Sequence, residues 1–133
     1  MHLISTQTLL ILIARTIFYL KGVAWVLKGK RARSMQEVLK LFYMDFLQIE
    51  KKHIEVVKLT DDELVARCNN PCPILDLALR FRLDTKYFCK KVSEPVCKFV
   101  LSNLNPNLVF ERNYEHIRPY AKSCEERICW RKN

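Results

Sequence analysis

Between Thr8 and Leu27, apolar residues recur at three- and four-residue steps: Leu9, Leu12, Ile13, Ile17, Leu20, Ala24 and Leu27. That spacing predicts a helix with one apolar face, while Arg15, Lys21, Gly22 and Lys28 gather towards the other side. Ile11, Phe18 and Trp25 fall on or near the charged side, so the apolar surface is wider than one core contact requires. The excess has two uses, packing in the core or contact with a second subunit or a membrane surface. Gly29 to Arg33 breaks the pattern. Ser34 followed by Glu37 then matches a capping box, and Val38, Leu41, Phe42 and Ile49 predict a second, antiparallel helix to about Lys52.

From Ile54 the rhythm changes to alternation, with Thr60, Asp61 and Asp62 as turn formers before Leu64 to Cys68, the pattern of a hairpin. Asn69, Asn70, Pro71 and Pro73 punctuate the chain ahead of a short helix over Ile74 to Phe81. Thr85 to Leu104 regains the helical period, with Phe88, Val92, Val96, Phe99 and Val100 as its inner face. Pro95 within it predicts a kink or a fresh start near Ser93. Leu108 to Ile117 and Cys124 to Trp130 predict a second hairpin, turning through Pro119 to Ser123. The expected fold is a single α+β domain over 1–133: a helical part (1–53), then a hairpin, helix and hairpin (54–133), with the long helix packed on a small antiparallel sheet.

Composition supports a chain folded throughout, since half of the 133 residues are hydrophobic and only two are glycine. Lys and Arg outnumber Asp and Glu by 23 to 14, a net charge of +9 that suits a small anionic ligand or substrate. The basic runs, Lys28 to Arg33 and Lys90, Lys91 and Lys98, do not interleave with aromatic residues as a base-stacking surface would, which argues against nucleic acid. Arg15 and Lys21 interrupt the first apolar stretch and no small-residue cleavage site follows it, so it reads neither as a secretory signal nor as a clean membrane span. The expectation is a cytoplasmic protein whose six cysteines are free thiols or metal ligands.

Those cysteines carry most of the candidate chemistry. Cys68 and Cys72 flank an Asn-Asn-Pro turn that can aim both thiols at one point. Cys89 and Cys97 are eight residues apart, which an unbroken helix places roughly on one side. Cys124 opens the last strand, and Cys129, five residues on, points to its opposite face. Glu111 and Arg112 continue the apolar strand Leu108-Val109-Phe110; a Glu111 that pointed inward would be a metal ligand or a general acid or base. His2, His53 and His116 are isolated, and there is no Gly-rich phosphate loop, Walker lysine, HExxH or GxSxG motif.

The succession Cys72-Pro73, Phe88-Cys89-Lys90-Lys91-Val92, Asn105-Pro106-Asn107-Leu108-Val109-Phe110-Glu111-Arg112 and Ser123-Cys124 resembles the L-2-amino-thiazoline-4-carboxylic acid hydrolase family over about half of the chain. The resemblance implies opening of a small anionic, cysteine-related heterocycle, with Cys89 and Glu111 as catalytic residues. The same half is similar to the 4-vinyl reductase domain, a ligand-sensing module in which some members hold zinc through a helix cysteine, a strand glutamate and later cysteines. That likeness implies a site at Cys89, Glu111 and Cys124, completed by Cys72 or Cys97 with Cys72 the preferred fourth ligand, a donor set suited to tetrahedral zinc. The two readings, hydrolase and non-enzymatic ligand- or metal-binding domain, stand side by side.

Overall fold

The structure, a computed structural model, describes residues 5–131 and is an α+β domain of four helices on one face of a four-stranded antiparallel sheet. Helix α1 spans Thr6–Val26, started by Ser5, whose hydroxyl accepts from the Thr8 amide. Gly29, at φ 72°, turns the chain. Helix α2, Met35–Val38, begins as the capping box predicts: the Ser34 hydroxyl accepts from the Glu37 amide, and the Glu37 carboxylate reaches back to the amide of Arg33.

The second helix then departs from expectation. It continues as a π-helix over Leu39–Phe46 and ends there instead of near Lys52, with Leu47 N–H bonded to the Phe42 carbonyl and Gln48 at φ 55°. The wider turn brings Phe42, Tyr43 and Phe46 together on the buried side, where Phe46 stacks on Phe18 at 5.8 Å and meets Trp25 at 5.6 Å.

Strands β1 (Ile54–Leu59) and β2 (Glu63–Cys68) form the first hairpin and β3 (Leu108–Arg112) and β4 (Cys124–Trp130) the second. The hairpins join through β2 and β4, giving the order β1-β2-β4-β3. As an edge strand with a bulge between Val56 and Lys58, β1 is exposed along nearly its whole length. Helix α3, Pro73–Arg80, follows the Pro-rich turn, and α4 spans the predicted Thr85–Leu104. Pro95 does not break α4. The carbonyl it leaves without an amide is that of Lys91, a residue exposed to solvent.

Helix α1 lies along α4 with its faces reversed relative to the sequence reading. Ile11, Gly22 and Trp25 are buried, whereas Leu9, Leu12, Ile13, Ile17, Leu20 and Leu27 are exposed. Gly22 decides the contact: a Cβ there would stand 3.2 Å from Val100 Cγ2 and 3.3 Å from Val96 Cγ1, so only a glycine lets the helices approach this closely without a neighbour giving way. Trp25 fixes the rotation further by donating from Nε1 to Asp45 at 2.8 Å.

Candidate functional site

A cavity of about 500 Å³ lies between α1, α4 and the inner face of the sheet. The pleat decides which strand residues reach it. Leu108, Phe110 and Arg112 share the inward face of β3, and Cys124, Glu126 and Ile128 that of β4, so the alternation that buries the apolar residues also buries Arg112 and Glu126. On the cavity's apolar side stand Leu10, Ile13, Ile17 and Phe18 of α1 with Leu77 of α3.

Arg112 and Glu126 are cross-strand partners and form a buried ion pair, with the guanidinium Nε at 2.9 Å and Nη2 at 2.5 Å from one carboxylate oxygen. The other oxygen accepts from the Tyr43 hydroxyl at 2.9 Å, and Arg112 donates also to Ser93 Oγ. Ser93 in turn donates to the Cys89 carbonyl at 3.1 Å. The network thus ties the π-helix, both inner strands and α4 into one polar floor, with both charges almost fully removed from water, at 8% and 9% side-chain exposure. Burial pulls the Arg112 pKa down, but the Glu126 carboxylate, Cys97, Cys89 and Tyr114 together more than offset this and hold it well above the usual value.

Five of the six cysteines line the same cavity: Cys68, Cys72, Cys89, Cys97 and Cys124. Cys68 and Cys124 face each other across β2 and β4, and Cys89 and Cys97 sit on the cavity side of α4, as their spacing predicts. Burial pushes Cys89 up to about 11, against the pull of Arg112, and Cys68 and Cys97 up to about 12. At neutral pH these three are neutral thiols. Arg118, from the loop between β3 and β4, donates to the Asn70 carbonyl at 2.6 Å and to Cys124 Sγ at 3.3 Å, which places a second guanidinium at the thiol end.

Of the residues singled out in the sequence, Cys72, Cys89 and Cys124 come together around this cavity and Glu111 does not. Glu111 lies on the outer face of β3 opposite Arg127, 3.5 Å from its Nη1, with its side chain 62% exposed. Its neighbour Arg112 takes the inward position. Glu111 therefore belongs to a solvent-facing ladder of charges with Arg127 and Glu63, apart from Cys89. Among the described residues no three His, Cys, Asp or Glu side chains converge closely enough to hold a metal ion. Cys129 points outward, as expected. Arg112, Glu126, Tyr43 and Ser93 were missed, although two of them carried a signal: Arg112 is in phase with Leu108 and Phe110, and Glu126 with Ile128.

No family model, curated protein or solved structure matches this chain. The arrangement of the cavity is therefore what bears on its use.

Proposed function

We propose that this domain binds a small amphiphilic molecule, an apolar body with an anionic group, without transforming it. The cavity itself carries this reading. Its volume of about 500 Å³ falls in the range of ligand pockets, and most of its wall is hydrocarbon with a few polar groups, Lys21, Ser93, Arg112, Arg118 and Glu126 among them. The neutral state of Cys89, Cys68 and Cys97 suits apolar contact better than nucleophilic attack, which needs a thiolate. Arg118 is the group suited to receive the anion, since Glu126 already neutralises Arg112, whereas Arg118 meets only the neutral Asn70 carbonyl and Cys124 Sγ and no carboxylate among the described residues. A thiazoline carboxylate, with one small ring, would occupy well under half of the volume, whereas a ligand of roughly 15 to 20 non-hydrogen atoms fills it.

Calorimetry with dodecanoate, dodecyltrimethylammonium and 2-aminothiazoline-4-carboxylate, with the last also followed for turnover, tests this. Dodecanoate should bind with a negative heat-capacity change, the quaternary ammonium should bind more weakly, and Arg118→Gln should reduce dodecanoate affinity about tenfold. Turnover of the thiazoline that disappears in Cys89→Ala would establish the hydrolase reading instead. Equal binding of the two dodecyl compounds would remove the role given to Arg118. A zinc content near one equivalent in protein purified without chelator would make the thiols a metal site.

A further inference from the structure

The outward face of α1 carries no charged side chain from Thr6 to Leu27, a length of about 30 Å at the usual helical rise. Thr6, Leu9, Ile13, Thr16, Leu20, Val23 and Leu27 succeed one another at alternating steps of three and four, the heptad spacing of a helix–helix seam, and every one of them is exposed. Leu20 is 66% exposed and Leu27 81%. The opposite positions of the same heptads, Ile11, Phe18 and Trp25, pack into the domain, so α1 has one seam used and one bare. Its two cations stay off the bare face: Arg15 is half-buried, and Lys21 lies over the Phe46 ring at 5.6 Å.

We propose that this bare seam is the interface of a homodimer in which the α1 helices of two copies pack antiparallel. The exposed side chains of the seam and the flanking Leu12, Ile17 and Ala24 amount to on the order of 700 Å², close to the ~800 Å² per partner that a stable interface needs. That area is larger than the apolar patches monomers usually leave in water. A second copy presents the same heptads, so the contact is isologous and closes as a pair.

The basic turn after α1 sets the direction. Lys28, Lys30, Arg31 and Arg33 are all exposed immediately beyond the helix. Parallel helices would set two such clusters side by side; antiparallel helices hold them a helix length apart, several times the roughly 8 Å over which physiological salt screens charge. Antiparallel pairing centres on Thr16 and brings Leu9 against Val23 and Ile13 against Leu20. Ile13 and Ile17 also line the cavity, so the partner's helix lies along the cavity rim. The dimer rests on α1 alone and does not depend on the ligand reading.

Sedimentation equilibrium of the full chain, with and without vesicles of phosphatidylcholine and phosphatidylserine, tests the proposal. The wild type should sediment as a species of twice the 15.8 kDa chain mass. Leu20→Glu should raise its dissociation constant by about a hundredfold or more with an unchanged far-ultraviolet spectrum, and Leu79→Glu, at another exposed leucine, on α3, should leave it a dimer. Salt should change the dissociation constant little. A wild-type monomer overturns the dimer, as does a dimer that survives Leu20→Glu. A monomer that sediments with the vesicles assigns the face to a membrane surface, and a dimer strongly tightened by salt overturns the antiparallel direction.

Discussion

Replacing Arg112 by Met should destabilise the domain by about 3 to 5 kcal/mol, the usual loss when one member of a buried ion pair is removed. The side chain volume is roughly kept, so little of this comes from packing. What changes is that Glu126, 9% exposed at its side chain, loses both guanidinium contacts and keeps only the Tyr43 hydroxyl. Urea unfolding followed by tryptophan fluorescence measures the effect. With an m-value of about 1.5 to 2 kcal/mol per molar for a chain of this size, the midpoint should fall by roughly 2 M. Glu126→Gln alone should also cost several kcal/mol, because it leaves Arg112 as a buried cation without a counter-charge. The double variant should recover to within about 2 kcal/mol of the wild type, since it removes both charges together and leaves a polar group for Tyr43. Glu111→Gln, one residue away on the exposed face, should cost less than about 0.5 kcal/mol. Single losses below about 1 kcal/mol, or losses that simply add in the double variant, would refute the reasoning that the pair is desolvated and acts as a unit.

The raised thiols predict a fall in stability on the alkaline side. Above about pH 8.5 the unfolded chain releases thiol protons that Cys68, Cys89 and Cys97 retain in the fold until about pH 11 to 12, so the native state binds more protons and each thiol costs up to about 1.4 kcal/mol per pH unit across that window. Chemical unfolding from neutral pH to about pH 10 should show this slope reduced in Cys89→Ala; an identical slope in that variant would show that its thiol is not held protonated. At the α1–α4 contact, Gly22→Ala should stay within about 1 kcal/mol of the wild type because helix propensity offsets a contact of 3.2 Å that two valines can relax, and Gly22→Leu should lose about 3 kcal/mol or more. Equal stability of Gly22→Ala and Gly22→Leu would show that the helices do not approach closely there.

Local rules reached most of the elements because each has a local cause. The Ser34 and Glu37 pair marked a helix start, Asp61 and Asp62 a hairpin turn, and the period through Phe88, Val92, Val96 and Val100 fixed α4 to its full observed length. The same periodicity set Cys89 and Cys97 on one side, and alternation sent Cys124 inward and Cys129 outward. Where a segment is apolar on every side, that logic has nothing to select with: in α1 the choice between Leu20 and Trp25 as the inward residue fell to the space at Gly22 and the Trp25 to Asp45 hydrogen bond, both set by distant parts of the chain. The sequence by itself thus determined most of the elements and the alternation within the inner strands, but not the π-helical turn that ends the second helix at Phe46 or the end of β3 at Arg112 instead of Ile117. Tertiary structure decided the strand order, the face of α1 that meets water, and the pairing of Arg112 with Glu126 under five thiols, because each depends on contacts between residues far apart in sequence, whose energies no local pattern contains.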